Sequence, residues 1–348
     1  MFKSFVILLH LCVMTHSFCA AQEEGTFTNP LLARGADPWS IYKDGYYYYT
    51  HTIGDSLVIW KTTDLSKLKE AERKTIFVPP RHSAYSEQLW APEIHYINRK
   101  WYVYFAADNG NNNNHRMYVL ENAAADPLQG SWTFKGKVSD PSDKWAIDGS
   151  VFIHRKQLYM IWSGWESDVN GRQDIYIAKM KNPWTIEGGR HRISSPVHEW
   201  ERQGTLNDPY NPPHVAVNEG PQLLRNKKKL FIVYSASGCW TEAYSLGMLS
   251  FTGKKNLLDS GAWKKSSQPV FGQSAQAGVY APGHNSFFKS PDGKEDWILY
   301  HANNQEGQGC GRHRSPRAQK FTWDEEGNPV FGDPVKPGVL MKAPSGGR

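Results

Sequence analysis

The sequence predicts an all-β chain, a five-bladed β-propeller with four antiparallel strands per blade. Three observations lead there. Short aromatic strands recur: Tyr46–Tyr49, Trp101–Phe105, Leu158–Trp162, Leu230–Tyr234 and Trp297–Tyr300. Their last aromatics, Tyr49, Tyr104, Trp162, Tyr234 and Tyr300, lie 55, 58, 72 and 66 residues apart. Helical periodicity is almost absent between them. Short strands with regular turn signals indicate all-β structure, and a repeat of this length holding four strands is the mark of a propeller blade. A β-sandwich with evenly spaced strands is the competing architecture, and the fivefold register disfavours it.

The elements follow one plan. A shorter strand precedes each aromatic one, at Trp39–Tyr42, Ile94–Ile97, Val151–His154, Gln222–Leu224 and Ser286–Lys289. Turns link the two, at Lys43–Gly45, Asn98–Lys100, Arg155–Gln157, Asn226–Lys229 and Pro291–Asp296. Third strands are expected at Leu57–Lys61, Met117–Glu121, Ile175–Lys179, Ser245–Phe251 and Arg317–Trp323, with outer strands such as Ser131–Phe134 and Gly261–Lys264. Asp108–Asn114 reads as a polar loop, and no domain boundary is evident.

The chain has 348 residues, 39% hydrophobic and 13% aromatic, enough for a large core. Fourteen Trp and seventeen Tyr suit strand cores and sugar-stacking platforms alike. A net charge of +6 with both signs mixed carries no nucleic-acid footprint, and Lys227–Lys229 falls in a hairpin turn. The N-terminus reads as a secretory signal over residues 1–21, with Lys3, the apolar run Phe5–Met14 and small residues at Ala20 and Ala21. That run is too short to span a membrane, so no membrane partner is expected. A secreted mature chain, 22–348, follows as a single propeller domain. Cys12 and Cys19 leave with the signal. Cys239 and Cys310 remain, as one disulfide or two free thiols. No Asn-x-Ser/Thr acceptor is present.

In a propeller the innermost strands line a central channel, and the residues entering them converge at its mouth. Those positions are Asp37, Glu93, Asp148, Glu219 and His284, spaced 56, 55, 71 and 65 residues, in step with the strands. Any one of these acids alone reads as a turn or capping residue. Four carboxylates around one axis repel and raise one another's pKa values, which a structural channel would avoid. Carboxyls whose environments split their pKa values suit glycoside hydrolysis, where one protonates the leaving oxygen and another activates water.

In order and spacing, the motifs Ala36–Asp37–Pro38, Trp90–Ala91–Pro92–Glu93, Ile147–Asp148–Gly149–Ser150 and Asn218–Glu219–Gly220–Pro221 resemble glycoside hydrolase family 43. That family holds five-bladed propeller arabinofuranosidases, arabinanases and xylosidases, and the resemblance runs from about Thr28 to Leu340. It implies Asp37 as general base, Glu219 as general acid and Asp148 as the modulator of the acid's pKa, with inversion in one displacement. It implies Glu93 at the pocket wall. It also sets His284 toward a structural calcium, although calcium prefers oxygen and a satisfied channel histidine is the plainer reading. No cofactor is required for the chemistry.

Trp90, Trp165 and Trp240 are candidate stacking platforms. Relatives hold sugar hydroxyls with an arginine from the last blade, and Arg312 and Arg317 compete for that place, Arg317 being less loop-bound. Asn303, Asn304 and Gln305 read as pocket or turn. Ala36 stands where many endo-arabinanases carry histidine, which leans toward an exo-acting α-L-arabinofuranosidase on arabinan or arabinose-bearing plant cell-wall polysaccharide. Nothing of domain size follows Leu340, which weighs against two-domain β-xylosidases. An endo-1,5-α-L-arabinanase or β-xylosidase on the same scaffold remains the enzymatic alternative, and a non-catalytic sugar-binding propeller the alternative from another class.

Overall fold

The structure, a computed structural model, describes residues 25–170, 172–204 and 216–347. The expected signal segment, with Cys12 and Cys19, lies outside the described residues. Five four-strand antiparallel units follow one another along the chain. Their inner strands are Ala36–Lys43, Glu87–Ile97, Ala146–His154, Ala216–Asn226 and Tyr280–Lys289. A short parallel bridge, Arg172 and Gln173 beside Ala216 and Val217, joins the third unit to the fourth. Each inner strand touches the next, and the fifth touches the first. The ring is therefore closed, and each unit is a blade.

The core explains the aromatic repeat. Five apolar clusters fill the spaces between successive blades, one per gap. Each second strand is thus covered on both faces and reads as a continuous apolar run rather than an alternating one. Tyr49, Tyr104, Tyr234 and Tyr300 are fully buried. Three of them donate their hydroxyls inside the protein: Tyr104 to Pro183 O at 2.6 Å, Tyr234 to Glu201 at 2.9 Å, and Tyr300 to Gln319 at 3.0 Å. The described ends meet in a two-stranded pair, Thr26–Phe27 with Met341–Lys342, and Phe27 packs in the cluster between the first and fifth blades. Among the described residues no blade borrows a strand from the far end of the chain.

Three outer strands escaped the sequence reading: Glu72–Phe77, Thr185–Ser194 and Pro329–Val330. Glu72–Phe77 is exposed over its first four residues, and Thr185–Ser194 carries two glycines and two arginines. Edge strands are kept polar and irregular so that they do not pair with another molecule, which erases their period-2 signal.

Candidate active site

The site is built by β-bulges. Each inner strand slips register against its neighbour near its start, and each slip contains a residue at positive φ. These are Asp37 at 57°, Gln88 at 51°, Ala91 at 43°, Asp148 at 56°, Gly220 at 55°, Ala281 at 46° and His284 at 47°. A bulge puts two residues opposite one and re-aims side chains out of strict alternation. Proline follows Asp37, Ala91, Gly220 and Ala281. A bulge is one of the few strand positions where proline's missing N–H is tolerated.

The bulged N–H groups, freed from the ladder, bond side chains of the preceding blade. Asp37 N donates to His301 Nδ1 at 3.0 Å, Ala91 N to Thr52 Oγ1 at 2.7 Å, Gly220 N to Asp148 Oδ2 at 2.9 Å, and His284 N to Ser235 Oγ at 2.7 Å. The blade heads are thereby fastened to one another around the channel mouth. Asp37, Asp148 and His284 are bulge residues, whereas Glu219 precedes its bulge and Glu93 lies beyond one, so the heads are in step only to within a residue or two.

Asp37 is nearly buried and surrounded by donors. Thr52 Oγ1 donates to its Oδ2 at 2.6 Å, and Arg314 Nη1 donates to its Oδ1 at 3.3 Å. His284 Nδ1 faces the same Oδ1 at 3.3 Å. His301 Nδ1 already accepts the Asp37 N–H, so its 3.4 Å approach to Oδ1 is no hydrogen bond of the neutral ring. Burial pulls the His301 pKa down to about 4, which keeps that ring neutral. Burial alone would raise the Asp37 pKa. The imidazole of His284 and the guanidinium of Arg314 outweigh it, and Asp37 is held well below the usual carboxylate range.

Glu219 and Asp148 go the other way. Burial and the Asp37 charge push Glu219 up to about 7, against the hydroxyl of Tyr244, which donates to Oε1 at 2.7 Å. Asp148 is raised well above its ordinary value by burial and by Glu219, against the Gly220 N–H. Two carboxyls in one dry site share protons, so the upward shift belongs to the pair rather than to Glu219 alone.

These side chains open onto one cavity of about 410 Å³, lined by Asp37, Asp148, Glu219, His284, Arg314, Trp90, Trp145 and Trp240, with Asn112, Asn170 and Gln173. Cys239 and Cys310 also line it, joined as a disulfide with Cα atoms 5.1 Å apart. Trp90 is half-buried and backed by His115, ring centres 4.1 Å apart.

Three expected residues lie elsewhere. Trp165 is buried behind Trp145, rings stacked at 4.6 Å, and Trp145 takes the cavity face. Arg317 pairs opposite Tyr300 and is fully buried. It donates to Asn303 O at 3.3 Å and Asn304 Oδ1 at 2.5 Å, and Arg314 from the preceding loop reaches the cavity instead. Glu93 is buried below the cavity, bonded to His95 Nε2 at 2.8 Å and to the amide of Gln222. His284 lies beside Asp37 rather than within a ligand shell. Among the described residues no three His, Cys, Asp or Glu side chains gather as a metal would require. Calcium takes six to eight oxygens. An imidazole and one carboxylate supply only part of such a shell.

The Glycosyl hydrolases family 43 profile matches residues 27–329. The chain belongs to that family. It is a glycoside hydrolase, and its substrate is a carbohydrate. The chain is 41% identical over 342 residues to an extracellular exo-α-(1→5)-L-arabinofuranosidase of Streptomyces avermitilis, covering 95% of this chain and 68% of that protein. An extracellular exo-α-(1→5)-L-arabinofuranosidase of Streptomyces chartreusis is 35% identical, over 81% of this chain and 84% of its own length. A Humicola insolens α-L-arabinofuranosidase is 34% identical over 90% of this chain and 64% of its own length. Among solved structures, an α-L-arabinofuranosidase from Lactobacillus brevis superposes with a TM-score of 0.81 at 35% identity, covering 90% of this chain and 98% of that one.

Proposed function

We propose that this family 43 enzyme is a secreted, exo-acting, inverting α-L-arabinofuranosidase that removes terminal L-arabinofuranose from arabinan or arabinose-bearing plant cell-wall polysaccharide. One observation carries the reading. A single cavity holds one carboxyl kept ionised, Asp37, beside two whose protons are held more tightly than usual, Glu219, raised to about 7, and Asp148. Asp37 takes the proton of the attacking water as that oxygen bonds the anomeric carbon. Glu219 gives its proton to the glycosidic oxygen as the bond to the anomeric carbon breaks. Asp148 holds the Gly220 N–H next to Glu219 and shares the pair's proton. Trp90 and Trp240 offer stacking faces, and Arg314 offers donors to sugar hydroxyls. The arabinose preference and export rest on the named relatives and the leader-like residues 1–21.

The test is hydrolysis of nitrophenyl α-L-arabinofuranoside and of linear arabinan. Wild type is expected to release arabinose alone, and Asp37→Asn or Glu219→Gln to cut kcat by roughly 10²–10⁴-fold. Arabino-oligosaccharides as first products would turn the reading to an endo-arabinanase. Preference for nitrophenyl β-D-xyloside would turn it to a β-xylosidase. Wild type inactive on every pentoside would leave only a sugar-binding propeller.

A further inference from the structure

Tyr244 lies in the loop after the second strand of the fourth blade, and it touches both halves of the site. Its hydroxyl donates to Glu219 Oε1 at 2.7 Å. Its ring lies parallel to that of His301, centres 5.9 Å apart and planes 2° apart, and His301 in turn accepts the N–H of Asp37. Tyr244 is 1% exposed, and a Cβ added at Gly283 would come within 2.0 Å of its ring. The ring therefore cannot swing away. Ser235, which accepts the N–H of His284, stands beside the Tyr244 hydroxyl. Glu219 lines the cavity and Tyr244 does not.

We propose that Tyr244 is a positioning residue for the general acid: by occupying Oε1 of Glu219 it leaves Oε2 to carry the transferable proton toward the substrate. The inference rests on the reading of Glu219 as the acid. In the reaction the Oε2 proton passes to the glycosidic oxygen. The bond from that oxygen to the anomeric carbon breaks, and its electron pair stays on the oxygen. The Tyr244 proton does not transfer. Its bond strengthens as negative charge appears on Glu219, since hydrogen bonds to ionised acceptors are the stronger ones. Without the hydroxyl, either carboxyl oxygen can carry the proton, and only one of them faces the leaving group. The charges acting on Glu219 besides this bond are those of Asp37, Arg314 and the neighbouring Asp148.

The test is Tyr244→Phe in the full chain, assayed on dinitrophenyl, nitrophenyl and methyl α-L-arabinofuranosides. Dinitrophenolate leaves without a proton, and methoxide does not. The expected kcat/KM falls roughly tenfold or more on the methyl glycoside and changes within about twofold on the dinitrophenyl one. Loss of a donor to the carboxylate raises the acid's pKa, so the alkaline limb of the pH profile should move up by about one pH unit. In a Glu219→Gln background the same substitution should change nothing further. Should Tyr244→Phe fail to fold, Ser235→Ala is expected to give the same leaving-group pattern at smaller amplitude. An equal loss on all three substrates, or an unmoved pH limb, overturns the proposal while the functional reading stands. Wild type inactive on all three arabinofuranosides overturns both.

Discussion

At the scale of single residues, the site separates its carboxyls by what surrounds them. Asp37 has Thr52, Arg314 and His284 around one carboxylate, whereas Glu219 has burial, a nearby negative charge and one hydroxyl. With Asp37 proposed as base and Glu219 as acid, activity should decline as pH rises through about 7. The same proton has a consequence for stability. The folded state binds it more tightly than the unfolded chain, whose glutamate titrates near about 4.3. Stability from this group is therefore full in acid and falls as pH rises from that range through about 7. Glu219→Gln should raise the thermal midpoint at pH 8 by roughly 2–4 °C, with no gain at pH 4, as read by differential scanning calorimetry. A midpoint that is unchanged at both pH values would mean the carboxyl is not held protonated. The acids were legible in the sequence because Asp37, Glu93, Asp148 and Glu219 fall in step with the aromatic strands. Arg314, Trp145 and Tyr244 were not. Each sits in or beside a loop, where no periodicity says which way a side chain faces. Arg317 and Trp165 read as better candidates and proved to be buried, Trp165 stacked behind Trp145 and Arg317 bonded to Asn303 and Asn304.

At the scale of the element, the decisive device is the bulged start of each inner strand. Strict alternation would send neighbouring residues to opposite faces. The left-handed residues at Asp37, Asp148, Gly220 and His284 break it, and the N–H groups of Asp37, Gly220 and His284 turn toward the preceding blade. Gly220 is the position where this matters most. Its φ is +55°, and an added Cβ would lie 3.3 Å from the His284 ring. Gly220→Ala should lose roughly 1–2 kcal/mol for the left-handed backbone, and kcat should fall as the N–H leaves Asp148. Gly189→Ala, in open space on an outer strand, is the control and should leave both midpoint and kcat unchanged. Equal behaviour of the two variants would show that the bulge does not carry the site. The aromatic second strands and their turns were readable because burial on both faces leaves unbroken apolar runs. The bulges were not, since a register slip appears only when two strands are laid side by side.

At the scale of the molecule, five interblade cores and a closed ring of inner strands hold the heads around one mouth. The fivefold count was readable from strand spacing alone. The pairing of Cys239 with Cys310 was open in the sequence, because each cysteine lies in a loop and their separation of 71 residues says nothing of distance. The bond ties the loop bearing Trp240 and Tyr244 to the loop bearing Arg314. Replacing both cysteines by serine should lower stability by roughly 2–4 kcal/mol and raise KM more than it lowers kcat, as Trp240 and Arg314 lose their fixed wall. A lowered midpoint with KM unchanged would make the bond a staple of the fold only. The central claim, that Asp37 and Glu219 act together in one displacement, is tested most directly by the anomer released first. Proton NMR of α-L-arabinofuranoside hydrolysis at early times should show β-L-arabinofuranose preceding its mutarotated forms. The α-anomer appearing first would contradict a single inverting step with Asp37 as its base.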